Sequence, residues 1–161
     1  MSATARPVDV SPATDAGPFQ RILLASEGRT IPNAAIARVV ELAERGATVR
    51  VFSIARVHGT AFGMPTPGLL PTRAEWAAQR DLVDNAIKRL KRKGLTAEGH
   101  VLGTRNATKK ILQEASQYGC QAIVMAADPD RARLVATAMW SQEPQRVRRR
   151  ARVPVFLVAT D

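Results

Sequence analysis

The sequence predicts one α/β domain, a doubly wound parallel sheet of five strands with helices on both faces. Three observations lead there. Five short apolar runs recur along the chain, each nearly continuous and therefore suited to burial on both faces. Segments with helical periodicity separate them, and strands alternating with helices imply right-handed parallel crossovers. Glycines and capping residues stand at the helix ends, where such turns need them.

Arg21-Ile22-Leu23-Leu24-Ala25-Ser26 is the first run, closed by the polar turn Glu27-Gly28-Arg29-Thr30. Ile36, Val39, Val40 and Ala43 then fall at i, i+3, i+4 and i+7, predicting a helix that Gly46 ends. The second strand is Thr48 to Ile54, rich in β-branched residues. His58 to Pro71 is long for a connection, which suggests a lid or an interaction surface. Thr72-Arg73-Ala74-Glu75 forms a capping box and opens the second helix. Trp76, Val83, Ile87 and Leu90 line its inner face, Gly94 stops it, and basic residues crowd its last turns.

Ala97 to Leu102 is the third strand. Asn106 leads into a helix with Ala107, Ile111, Leu112, Ala115 and Tyr118 inward and Gly119 just past its end. Gln121 to Ala126 is the fourth strand. Arg131 to Trp140 suggests no more than a helical turn. Ser141 or Glu143 caps a last helix through Arg150, with Pro144 in its first turn. Val153 to Val158 is the fifth strand, and Pro154 near its start suits a sheet edge.

Composition narrows the function. A chain of 161 residues suits one domain, here residues 19–161, preceded by a Pro-, Ala- and Ser-rich stretch, residues 1–18, that reads as a disordered tail. No run approaches the ~20 apolar residues of a membrane span, and no export signal is legible, so a cytoplasmic protein is expected. Cys120 is the single cysteine and has no internal disulfide partner; it reads as an inert packed thiol. His58 and His100 lie on separate segments with no nucleophile motif nearby, and no His/Cys/Asp cluster has metal-ligand spacing. Neither catalysis nor a metal is expected. The formal charge of +10 could draw polyanions, including to the run Arg146 to Arg152. Only 4% of residues are aromatic, however, which leaves little for base stacking, and a solvated basic helix end is the favoured reading of the run, so nucleic acid is not expected as a partner.

In such sheets ligands sit beyond the carboxyl ends of the strands, at the switch point. With the first strand beside the fourth, that crevice is lined by Ser26, Glu27 and Gly28 and by Met125, Ala126, Ala127 and Asp128. Ser53 and Ile54 form a neighbouring wall. Gly28 serves the turn, while Ile54 and Met125 equally suit the core.

The chain resembles the universal stress protein family. Ile22 to Gly28 is similar to the family's opening strand and its Asp-Gly-Ser turn, with Glu27 at the Asp position and Arg29 at the Ser position. Gly103 before a helix, Tyr118 to Met125, and Arg150 to Val155 resemble later family segments in order and spacing. The resemblance implies strand order 3-2-1-4-5 and a homodimer paired through the last strand, Val153 to Val158. It also implies an adenine-nucleotide site whose phosphates lie in a Gly-x-x-Gly-x(9)-Gly-Ser/Thr loop. This chain departs there. From Cys120 to its end it has no glycine. Ala126, Ala127, Asp128, Pro129, Asp130 and Ser141 stand near the glycine positions. Glycine backbone can point successive N–H groups at phosphate. Proline has no N–H, and aspartates oppose a polyanion. The expectation is therefore a non-enzymatic stress-response protein with the usual ATP phosphate loop lost or weakened and no cofactor. The alternative is a small adenine nucleotide or nucleoside held weakly through its base.

Overall fold

The computed structural model describes residues 18–56, 70–128 and 142–160. The first strand, β1 (Phe19–Ser26), leads to helix α1 (Asn33–Leu42) and strand β2 (Ala43–Arg56). Helix α2 (Arg73–Arg92), strand β3 (Thr96–Thr104), helix α3 (Ala107–Gln117) and strand β4 (Ala122–Ala127) follow. Helix α4 (Glu143–Arg150) and strand β5 (Val155–Ala159) close the order. All five strands are parallel, in the order β3-β2-β1-β4-β5. The fold is the expected one.

Period-two alternation divides the core into two layers. Ile22 and Leu24 of β1, Val49 and Val51 of β2 and Val124 of β4 pack with Ala35, Ile36 and Val39 of α1 and Val83, Ala86 and Leu90 of α2. Leu23 and Ala25, Phe52 and Ile54, and Ile123 and Met125 point the other way, onto Ile111 and Ala115 of α3 and Val147 of α4. A one-residue slip of β1 would exchange the layers, so burial on both faces pins its register.

Local signals that need only a few residues are realised. Thr72 accepts from the Glu75 backbone N–H, and the Glu75 carboxylate accepts from the Thr72 N–H. Gly94 and Gly119 have φ of +83° and +60°. Each closes a Schellman turn, with Leu95 N–H on Leu90 O and Cys120 N–H on Ala115 O. Pro154 lies just before the edge strand β5, where its missing N–H breaks no ladder.

Other details differ from expectation. Helix α1 ends at Leu42, four residues before Gly46, because Ala43 turns extended and pairs with Phe19. The register then jumps to Arg21 opposite Thr48, and Gly46, at φ +79°, lies in the bulge so made. Tyr118 does not face the core. It is 37% exposed, with the Arg50 guanidinium 3.8 Å from its ring centroid. The cap expected from Ser141 lies outside the described residues. Gln142 is the N-cap of α4, without a side-chain bond, and Pro144 is in the first turn. His58, Trp140 and most of the loop before Pro71 also lie outside the described residues.

Candidate functional site

The crevice is built where β1 and β4 end side by side, with Ala25 opposite Met125. The turn after β1 is stitched by its own side chains. Ser26 Oγ accepts from the Gly28 N–H at 3.1 Å and donates to the Arg29 carbonyl at 2.5 Å. Gly28 sits at φ +120°, and a Cβ there would stand 3.2 Å from the Ile54 carbonyl oxygen. The position needs glycine for both reasons.

Arg29 crosses from this turn to β4. Its Nε donates to Glu27 Oε1, while Nη1 and Nη2 donate to the two oxygens of Asp128 at 3.1 and 3.3 Å. The side chains of Glu27 and Asp128 are 2% and 4% exposed, and this guanidinium bonds both carboxylates. Burial acts to lower the Arg29 pKa, but the Glu27 and Asp128 carboxylates outweigh it and hold it above the usual arginine value. Glu27 Oε2 is buried and has no hydrogen-bond partner among the described residues. The Glu27 carbonyl accepts from Arg56 Nε at 2.8 Å.

The β2 side is closed by α2. Ser53 Oγ donates to Gln79 Oε1 at 2.5 Å, and Gln79 Nε2 donates to the Gly28 carbonyl at 3.0 Å. The structure therefore brings together Ser26, Glu27, Gly28, Ser53 and Asp128. Ile54 and Met125 are fully buried in the core behind α3, and Ala126, next along β4, is also buried. Ser141 lies outside the described residues, as do Pro129 and Asp130. Sequence reasoning gave no role to Arg29, Arg56 or Gln79. Only the placement of a cation two residues after Glu27 hinted at the first.

A second ionic cluster ties β2, β3 and α3. Arg50 donates to Glu114 at 2.9 Å, to Glu98 at 3.1 Å and to His100 Nδ1 at 2.9 Å. Cys120 is close by and buried, and burial pushes its thiol up to about 11. Its folded pKa thus exceeds its unfolded one, so stability falls as pH rises from about 9 towards 11, the window in which only the unfolded chain has lost the proton. At pH 8 we expect native Cys120 to alkylate with iodoacetamide about 100-fold more slowly than in urea, the ratio of thiolate fractions. Equal rates would contradict a packed thiol.

Among the described residues no group of three or more His, Cys, Asp or Glu side chains could hold a metal ion. No described helix is long and apolar enough to cross a membrane. The sequence profile of the universal stress protein family matches residues 18–159. A search of curated proteins gives no match. Among solved structures, a universal stress family protein from Burkholderia pseudomallei is similar at 20% identity and TM-score 0.63, over 88% of this chain and 97% of that one. An Archaeoglobus fulgidus universal stress protein in complex with dAMP has 20% identity and TM-score 0.58, over 88% and 97%. A universal stress protein in complex with cAMP has 17% identity and TM-score 0.61, over 90% and 100%.

Proposed function

Since the chain belongs to the universal stress protein family, we propose that it is a non-enzymatic regulatory protein in which ATP binding of the usual kind is lost or much weakened. The observation that carries this reading is the Arg29 bridge between Glu27 and Asp128. A triphosphate arriving at this end of the sheet meets two buried carboxylates. The guanidinium beside them is already shared by both. A phosphate charge ~4 Å from a carboxylate is opposed by about 4 kcal/mol at an effective dielectric near 20. Displacing Arg29 towards the phosphate would break its bonds to the buried Glu27 and Asp128. The absence of glycine after Gly119 supports the same reading, since a backbone nest for phosphate needs residues free to take positive φ.

The reading extends to a cytoplasmic homodimer through β5. Val155 and Phe156 are buried, and the strand's outer edge would pair with a second copy.

One observation favours a second reading. Glu27 Oε2 is an acceptor with no donor among the described residues, and the base or ribose of an uncharged adenine nucleoside could supply one. Calorimetric titration separates the two. We expect no saturable heat with Mg-ATP. Saturable binding with Kd below about 100 μM, some 5 kcal/mol of affinity, would overturn the leading reading. Adenosine binding that Glu27→Gln abolishes would establish the second without rescuing ATP.

A further inference from the structure

We infer that the groove between α1 and α2 is a docking surface for an acidic peptide segment carrying branched aliphatic side chains, presented by a partner protein. The groove encloses about 670 Å³ and shares no residue with the crevice. Its α1 wall is aliphatic: Ala37 is exposed and Val40 half-buried, with Ile36 buried behind them in the core. Its α2 wall is cationic, formed by Arg89, Arg92 and Lys93.

The cations of that wall are not neutralised from within. Glu41, the one acid among the described residues lining the groove, is held by Arg38 at 2.9 Å. Arg92 and Lys93 have no ion-pair partner among the described residues. Arg89 donates to the neutral Asn33 Oδ1 at 2.7 Å and the Ile31 carbonyl at 3.0 Å, while its Nε is buried with no acceptor. Burial, together with repulsion from Arg92, pushes the Arg89 pKa below its ordinary value. The α2 dipole explains why cations gather at a helix C-terminus. It does not explain two guanidiniums crowded together with no acid between them among the described residues. An incoming carboxylate at the exposed Arg92 and Lys93 would relieve that crowding, through charge-assisted bonds with its new partners.

The floor decides the class of partner. An inorganic anion would use the rim and leave the aliphatic stripe uncovered. A nucleic acid would find backbone charge but no aromatic ring in the lining on which to stack a base. A peptide with glutamate or aspartate beside leucine or isoleucine matches both walls, the rim giving orientation and on-rate and the floor giving buried apolar area.

The full chain is titrated by fluorescence anisotropy with a labelled short peptide of alternating glutamate and leucine. Polyglutamate of the same length and a single-stranded oligonucleotide of equal charge serve as comparators. Saturable binding to the mixed peptide, weaker for both comparators, is expected. Arg92→Glu with Lys93→Glu, at exposed positions, is expected to weaken it by about tenfold or more. Ala37→Glu is expected to weaken it as well. Chemical shifts perturbed in the parent protein at α1 and α2 locate the contact should a variant fold poorly. Absence of saturable binding, equal binding by polyglutamate or the oligonucleotide, or indifference to the double charge reversal overturns the proposal.

Discussion

Replacing Arg29 by alanine is expected to destabilise the domain by about 3–5 kcal/mol, the range for removing one partner of a buried ion pair. In a chain of this size that corresponds to a fall in Tm of roughly 10 °C. The reasoning is geometric. Arg29 is the cation common to Glu27 and Asp128, and its own side chain is 18% exposed, so some water reaches the site and the lower end of the range applies. Without it two carboxylates remain buried, one already holding an oxygen with no donor among the described residues. The triple variant Arg29→Met, Glu27→Gln, Asp128→Asn removes charge from all three positions and is expected to recover most of the loss, since neutral replacements carry less desolvation penalty. Thermal unfolding of the two variants checks this. An Arg29→Ala protein melting within about 1 °C of its parent would show that the bridge contributes little, in contrast to the buried-pair range.

The second large effect is expected at Arg50. Its side chain is 13% exposed and serves three acceptors on β3 and α3, besides lying over the Tyr118 ring. The acceptors are not equivalent. Glu114 is 8% exposed and Glu98 60%, so solvent replaces the cation at Glu98 but not at Glu114. Arg50→Leu is therefore expected to cost about 3 kcal/mol, mainly through Glu114. Glu98→Ala is expected to cost under about 0.5 kcal/mol, as for other exposed pairs. Arg50→Lys is not expected to restore stability, because an ammonium lacks the planar fork that reaches several acceptors at once. Urea unfolding of the three proteins gives the order. Equal losses for Arg50→Leu and Glu98→Ala would place the energy in the exposed pair and refute the burial argument. Like the Arg29 bridge, this cluster joins residues far apart in sequence: Arg50 and Glu114 are 64 positions apart.

Those separations explain what could be read in advance. The stops at Gly94 and Gly119 and the capping box of Thr72 and Glu75 involve residues within one helical turn, so the chain itself carries the whole signal. The five strands were legible because burial on both faces demands nearly continuous apolar runs. The end of α1 was not. Gly46 signals a stop, but Ala43 leaves the helix earlier to pair with Phe19, 24 residues away in the chain by number. Tyr118 fits the apolar stripe of α3 by spacing, yet the helix ends just before it and the ring turns to Arg50.

At the crevice, Ser26, Glu27, Gly28 and Asp128 were foreseen as neighbours, because parallel order and strand ends suffice to place them. Their state was not. Asp128 was expected to oppose a ligand's phosphates as a free charge. Arg29 holds it with both terminal nitrogens across 99 residues of sequence. Ser53 was expected as a wall, and Gln79 of α2 takes its hydroxyl. Periodicity, caps and glycine positions thus determined the architecture of this protein and which strand ends lie side by side, since each acts over a few residues. Only the tertiary structure decided which charges meet there. Long arginine and glutamine side chains choose partners by position in space, and burial at strand ends makes those choices binding.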